Sequence, residues 1–215
     1  MGRVSVHTVP KLIDHAKRRR LIIDAAWKVI AADGVGALTV RRVAEAARIV
    51  PGSLRHIFPT HDALVDAVAD ELIEQVNAAI EVGARRYPRN EDLPLRMLSL
   101  LPLDKSATHR WRVEHALYVG ATRHRRFASD IAACRNARYK ECASIIRELG
   151  HGIPVPEEHI NLEILRTLAL IEGLSHLGAH GAHTISAHEA QTVIRRHLLD
   201  VQSVWRHRAT ARRSP

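Results

Sequence analysis

Residues 39–58 read TVRRVAEAARIVPGSLRHIF, and the fold of the chain turns on this stretch. It holds two short helical segments. Thr39 stands as the N-cap of the first, which runs through Ala47, because a hydroxyl there accepts a backbone N–H that the first turn leaves unpaired. Pro51 suits the first position of the second, where its fixed φ is already helical. That segment ends near Ile57, and Phe58-Pro59 breaks it. Val43, Ala44, Ala47, Ile49 and Leu54 fall on the inner side, and the small Ala44 and Ala47 allow close helix approach. This is the pattern of a helix-turn-helix, whose second helix is presented to the DNA major groove. Val50, Pro51, Gly52, Ser53, Arg55 and His56 are left facing outward. Arg55 and Ser53 can hydrogen-bond base edges or phosphates, and Arg41 and Arg42 sit where the duplex backbone would pass. By spacing alone, the same pattern also fits an ordinary helix pair that happens to carry arginines.

Working outward, helical periodicity dominates and no strand-like alternation occurs. Ile22, Ala25, Ala26, Val29 and Ile30 recur at three- and four-residue steps and predict a first helix from about Ile13 to Asp33, stopped by Gly34. Thr60 can cap a fourth helix striped by Leu64, Val68, Leu72 and Val76, which reaches about Arg86 before Tyr87-Pro88 interrupts it. Five more helices are predicted near residues 93–101, 105–122, 127–149, 157–177 and 187–205. Asp104 is a cap for the second of these, and Ser186 with Glu189 forms a capping box for the last. Gly150, Gly152, Pro154 and Pro156 punctuate the loop before the eighth helix. The expected fold is all-α, with about nine helices.

Charge is distributed unevenly. The net charge of +9 divides into +7 over residues 1–60, −2 over 61–200 and +4 over 201–215. Arginine supplies 27 of the 32 basic residues, yet a compositional bias would act on the whole chain, and the middle is not basic. A basic N-terminal quarter on a neutral body points to a polyanion-binding head. The basic run Lys17 to Arg20 fits either phosphate contact or a solvated helix turn, and Arg123, Arg125 and Arg126 read as an exposed loop. At 46% hydrophobic, the 215 residues suffice for a buried core. Apolar runs are too short to span a bilayer and no secretion signal is visible, so a cytoplasmic location without membrane partners is expected. Cys134 and Cys142 are expected as reduced thiols.

The stretch from about Arg20 to Val68 resembles the DNA-binding domain of the TetR family. The resemblance rests on Asp33-Gly34, Leu38-Thr39-Val40, Val43 through Ala47, Pro51-Gly52-Ser53-Leu54, Phe58-Pro59-Thr60 and Asp62-Ala63-Leu64, all in register. It implies a DNA-facing set of Thr39, Arg41, Arg42, Val50, Pro51, Gly52, Ser53, Arg55, His56 and His61. This chain departs from the family pattern in several places. Arg48 occupies the turn where glycine is usual, which puts a side chain in left-handed backbone at roughly 1 kcal/mol. Val50 stands where a serine usually caps the recognition helix. Arg55 replaces a frequent tyrosine and His61 a frequent lysine, at positions that in the family tend to hold phosphates.

The rest of the chain resembles the BetI-like branch of that family. The carriers are Leu101-Pro102-Leu103-Asp104 with Trp111 downstream, Ile171-Glu172-Gly173-Leu174, and the Ser186–Glu189 cap. The resemblance implies that the last two long helices pair with a second copy and that helices four to seven enclose a small-molecule pocket. The eighth helix is apolar around more of its circumference than one core face needs, which agrees. Residues 1–60 are then a DNA-binding domain, 61–206 an effector-binding and dimerisation domain, and 207–215 a polar tail. Met97, Trp111, His115 and Tyr118 are candidate pocket residues. Glu172, inside an apolar run, fits a backbone or interface partner better than a cationic effector. His176, His180 and His183 have helix-like spacing, but Gly178 and Gly181 intervene and no cysteine accompanies them, so no metal is expected. Motifs for nucleophile elbows, phosphate loops or zinc hydrolases are absent, so neither enzyme activity nor a cofactor is expected. The expected function is a homodimeric, sequence-specific repressor of a palindromic double-stranded DNA operator, released by a small-molecule effector that shifts the fourth helix. A ligand-independent activator or architectural protein would share the same head.

Overall fold

Capping chemistry, more than composition, sets where the helices of this chain begin. The computed structural model describes residues 9–121, 125–179 and 185–211, and among these the regular elements are all helical. In chain order they are α1 (Val9–Asp33), α2 (Val40–Ala46), α3 (Pro51–Ile57), α4 (His61–Arg86), α5 (Leu93–Leu98), α6 (Lys105–Gly120), α7 (Arg125–Leu149), α8 (Glu157–Ala179) and α9 (Ala187–Ala211). Short 3-10 turns at Val35–Ala37 and Asn90–Asp92 precede α2 and α5. Thr60 Oγ1 accepts the Ala63 N–H at 3.0 Å to start α4, and Asp104 Oδ1 accepts that of Ala107 at 2.8 Å to start α6. At α9 the expected box closes in both directions. The Ser186 N–H donates to Glu189 Oε2 at 2.9 Å, and the Glu189 N–H donates to Ser186 Oγ at 3.2 Å.

Helix ends differ from the sequence reading by a few residues. The first helix begins four residues earlier, at Val9. The fifth stops at Leu98, because the chain must leave the helix ahead of Pro102. The last continues six residues past Trp205 to Ala211, so part of the expected polar tail is helical. No glycine or proline interrupts residues 206–211, and a polar sequence with good helix formers simply extends a helix anchored by Val201 and Trp205.

Packing divides the chain into two compact units: residues up to Leu72 with Val113–Ala128, and Ile73–Arg112 with residues from Ser129 onward. The first unit is cored by Ile22, Ala26, Ile30, Leu38, Val43 and Leu54, with Leu64 and Val68 from the start of α4. Trp27 is buried there, and its indole N–H donates to the Val68 carbonyl at 3.3 Å. Burying an indole with its one donor satisfied avoids the penalty of an orphaned polar group.

The second unit is cored by Leu93, Met97, Ile145, Ile146, Ile164, Ile171, Ile194 and Leu198. Two helix approaches in it require glycine. A Cβ on Gly83 of α4 would lie 2.2 Å from Ser99 Oγ, and one on Gly150 would lie 2.9 Å from the Trp205 ring. A buried ion cluster ties α5 to α7. Arg96 Nε and Nη2 donate to the two carboxylate oxygens of Glu141 at 2.5 and 3.2 Å. Its Nη1 reaches Glu148 at 3.0 Å, and Nη2 also reaches Ser144 Oγ at 3.1 Å. The hydrogen bond to Glu141 holds the guanidinium above its ordinary range. Cys134 and Cys142 are free and buried; burial, then the neighbouring Glu141 carboxylate, pushes the Cys142 thiol up to about 12. Thr167 Oγ1 and His197 Nε2 share a hydrogen bond of 2.8 Å between α8 and α9, and burial keeps His197 below the usual imidazole range.

Removing Arg96 would strand the buried Glu141 carboxylate and deprive the partly exposed Glu148 of its partner. Arg96→Leu is expected to destabilise the protein by about 3–5 kcal/mol, the usual loss when one partner of a buried ion pair is deleted. Urea unfolding followed by circular dichroism measures this, and a loss under about 1 kcal/mol would mean the cluster is solvated and structurally idle.

Candidate nucleic-acid interface

Three helices of the first unit build the candidate reading head. Thr39 Oγ1 accepts the Arg42 N–H at 3.3 Å and so starts α2 as the sequence predicts. Val43 and Ala44 are buried, and Ala47, at the helix end, is buried as well. The chain then reverses through Arg48, which adopts φ 56°. Its N–H donates to the Glu45 carbonyl at 3.0 Å, and the Ile49 N–H donates to the Ala44 carbonyl at 2.9 Å. These two bonds form a Schellman motif with arginine at the position glycine usually fills. The backbone thus keeps the left-handed turn although the sequence lacks the residue that adopts it most easily.

Helix α3 follows with Val50 as N-cap, extended at φ −76° and ψ 145° and offering no side-chain hydrogen bond. The missing serine is therefore not replaced from elsewhere by a side-chain cap. Pro51 opens the helix and accounts for one donor fewer at its start. Leu54 is fully buried, Ser53 and Ile57 are half-buried, and Pro51, Gly52, Arg55 and His56 are exposed. Val50 is 66% exposed, a large apolar side chain in water at the leading end of the helix. One buried leucine anchors the helix and leaves most of its surface open.

The cations around α3 fall into two groups. The side chains of Arg41, Arg48 and Arg55 are exposed and bond to no described residue. Arg42 donates to Asp33 Oδ2 at 2.7 Å, in a pair about half open to solvent on both sides. Such a pair contributes little to stability and is easily exchanged for a phosphate. The basic run on α1 is also divided, with the Arg19 guanidinium 5.2 Å from the centre of the Phe58 ring and Arg20 3.6 Å from Glu71. His61 is placed differently from a free phosphate ligand. Its Nε2 lies 2.7 Å from the Leu38 carbonyl, which can only accept, so Nε2 carries the proton and only Nδ1 remains for another partner. That nitrogen is 3.8 Å from Asp62.

Two contributors escaped the sequence reading. Arg48 was legible only as a misfit in the turn, yet it adds a third unpaired cation beside α3. His15, on the first turns of α1, lies edge-on to His56 with ring centres 6.4 Å apart, a contact between residues 41 apart that no local pattern marks.

In the body, the residues expected to line a pocket are scattered in role. Met97 is entirely buried in the core of the second unit. Trp111 stacks edge-on against His176 at 5.7 Å. His115 lies 6.4 Å from the Tyr118 ring, and Tyr118 is 53% exposed. Glu172 has an intrachain partner, accepting from Arg138 Nε at 2.9 Å. Of the histidine triplet, His180 and His183 lie outside the described residues, as does Arg123. Among the described residues no three His, Cys, Asp or Glu side chains are grouped to hold a metal ion. Nor is any described helix long and apolar enough to cross a membrane.

An anchored, cation-flanked short helix braced by a preceding one has the geometry of a helix-turn-helix, the DNA-binding unit of many transcription regulators. Residues 22–68 match the family described as bacterial regulatory proteins, tetR family, and residues 90–202 match the BetI-type transcriptional repressor C-terminal family. The chain belongs to the TetR family of bacterial transcription regulators. It is similar to the HTH-type transcriptional regulator PksA of Bacillus subtilis (strain 168), with 27% identity over 169 residues covering 78% of this chain and 81% of that protein. Its fold is similar to that of a transcriptional regulator from Rhodococcus sp. Rha1, with a TM-score of 0.70 and 20% identity over 86% of this chain and 96% of that one. A transcriptional regulator from Saccharomonospora viridis, solved in complex with choline, has a TM-score of 0.69 and 20% identity over 84% and 95% of the two chains.

The strained turn supplies a direct test of the head's architecture. Arg48→Gly is expected to stabilise the chain by about 0.5–1 kcal/mol, since relief of the left-handed strain outweighs the extra flexibility of glycine when unfolded. Arg48→Val is expected to destabilise it. Thermal unfolding of the three proteins orders them, and a less stable glycine variant would show that the turn is not left-handed.

Proposed function

We propose that this chain is a homodimeric, sequence-specific repressor whose two heads read the half-sites of a palindromic operator and which a small-molecule effector releases. The observation that carries the reading is α3, held by one fully buried leucine with Pro51, Gly52, Arg55 and His56 exposed, and with the side chains of Arg41, Arg48 and Arg55 around it paired to no described residue. Arg55, Ser53 and Gly52 are proposed to face base edges. Thr39, Arg41, Arg42 and the start of α3 at Val50 and Pro51 are proposed to flank the phosphates. His56 joins the first group and His61, through Nδ1, the second.

Dimerisation is supported by the last two helices. Leu162, Leu165 and Leu177 of α8 and Val193, Leu199 and Val204 of α9 are large apolar side chains left in water by the single chain. A single head buries little DNA surface, and a two-fold pair doubles the contact and matches a palindrome. Effector release is supported by the BetI-type match of residues 90–202 and by α4, one unbroken helix whose residues are shared between the two units.

Selection of bound sequences from random DNA tests the core of the reading, and a two-fold symmetric consensus is expected. On that site Arg55→Ala is expected to weaken binding by about 1–3 kcal/mol if the guanidinium reads a base. Fluorescence anisotropy at several salt concentrations separates this from a phosphate contact, for which the salt slope would fall by about one. An unchanged affinity removes Arg55 from the interface.

The double variant Leu165→Glu, Leu199→Glu is expected to run as a single chain of 24.0 kDa in light scattering, where the parent runs at twice that mass. A variant that stays dimeric would place the interface elsewhere.

A further inference from the structure

Helix α9 carries two hydrogen-bond donors that the protein itself leaves largely unused. Trp205 is only 3% exposed, and a buried indole normally finds an acceptor, as Trp27 does in the first unit. The Trp205 Nε1–H donates to no described residue, and it is not among the unpaired polar atoms sealed from solvent, so it opens at the surface. Gly150 fixes the ring. A Cβ there would lie 2.9 Å from Cζ3 and 3.4 Å from Cε3, which leaves the N–H edge on the far side of the indole. Arg208 stands three residues further along α9 and therefore on the same face of the helix. Its Nη1 lies 3.4 Å from His159 Nδ1, and its side chain forms no ion pair with a described residue.

Both residues border a cleft of about 380 Å³ between the end of α9 and the segment that leads into α8. That volume falls within the range of about 300–1,000 Å³ typical of small-molecule sites. Pro154, Val155, Pro156 and Ala211 make the rest of the lining apolar, apart from the His159 imidazole, and no lining residue is acidic. The acids at the start of α8 are turned elsewhere, with Glu157 paired to Arg147 at 2.6 Å and Glu158 lying 3.8 Å from His159 Nε2. Arg208 can only donate, so His159 Nδ1 accepts, and one long bond to it leaves most of the guanidinium N–H groups without an acceptor. A cationic ligand would meet Arg208 with no counter-charge in the lining. An anion with an apolar body would meet complementary chemistry at both ends.

We propose that this cleft binds a monocarboxylate with a compact apolar body, its oxygens on the Arg208 guanidinium and the Trp205 indole N–H and its body against Pro154, Val155 and Pro156. The charge-assisted bonds to the guanidinium set the orientation, and removal of the apolar body from water supplies the remaining affinity. The site lies wholly within the second unit, and none of Met97, Trp111, His115 and Tyr118 lines it. No part of the DNA reading is needed for it.

Benzoate is the probe, titrated into the isotope-labelled full chain by NMR and into the unlabelled chain by calorimetry, with benzylammonium and sodium sulfate in parallel. The chain has three tryptophans, so three indole N–H signals are expected, and Trp205→Phe assigns the one at the cleft. Benzoate is expected to move that signal and leave the other two in place. Arg208→Gln, at an exposed position on the last turns of α9, is expected to weaken benzoate about tenfold. Trp205→Phe keeps a ring against Gly150 and loses the donor, for a weakening of about fivefold. Arg208→Gln alone decides if the Phe variant loosens the core, because it leaves every buried residue untouched. An unmoved Trp205 signal, an equal response to benzylammonium, the same response to sulfate alone, or undiminished benzoate affinity in Arg208→Gln would each overturn the assignment. A second copy seated in the cleft would make benzoate affinity fall as protein concentration rises, and that result overturns the ligand site in favour of an interface. Affinity that is independent of protein concentration and depends on Arg208 supports it.

Discussion

Burial of Leu54 against the α2 side of the head is the contact on which the reading surface depends. Helix α3 spans only Pro51–Ile57, far too short to be stable alone in water. With Leu54 as its one fully buried side chain, the helix exists because that leucine is removed from solvent in the core that Val43 and Ala44 also enter. Alanine at 44 and at 47 brings the backbones close enough for a single leucine to suffice. The same economy frees the outer surface, since a helix anchored through one residue can present most of the others. Stability and exposure are two consequences of one contact.

The turn between the two helices shows how tertiary structure overrides a local preference. A glycine at position 48 would adopt φ 56° without strain, and arginine adopts it because the two Schellman hydrogen bonds and the burial of Ala47 and Leu54 on either side leave no other path. The strain is tolerable at roughly 1 kcal/mol, and it comes with a cation at the edge of the proposed DNA face. Helix α3 begins with neither a serine cap nor a proline N–H, so two donors that could hold a phosphate there are lost. The charge on Arg48 and Arg55 offsets that loss in part, because their attraction for phosphate acts over a Debye length, while a backbone N–H requires contact.

Sequence was most informative where a residue's chemistry acts locally. Thr39, Thr60, Asp104 and the Ser186–Glu189 box all cap the helices they were expected to cap, since a cap engages a donor within three residues and needs no tertiary knowledge. Gly34 ends α1 with φ 77° for the same reason. The all-α fold and the inward stripe of the head were legible through period alone. Partnerships across the chain were not. Nothing near Arg96 foretells that it reaches Glu141, 45 residues away, nor that Glu172 meets Arg138. His61 shows the same limit at the candidate site: its position predicts a phosphate ligand, and a carbonyl 23 residues earlier takes one of its two nitrogens.

Helix α5 ties the buried ion cluster to a cleft walled by Leu95, Leu98, Leu101 and Leu103 beside the C-terminal half of α4. Helix α5 is only six residues long, yet Arg96 fastens it to α7 through Glu141, Ser144 and Glu148. Leu95 and Leu98 of the same helix form part of the cleft wall. Displacing that wall would stretch several charge-assisted hydrogen bonds, of which the pair to Glu141 is buried. The α4 wall meets α5 where Gly83 faces Ser99, whose hydroxyl donates to the Arg96 carbonyl at 2.6 Å. A glycine against a small side chain lets one helix slide or tilt on another with little loss of packing, whereas interlocked leucines would resist.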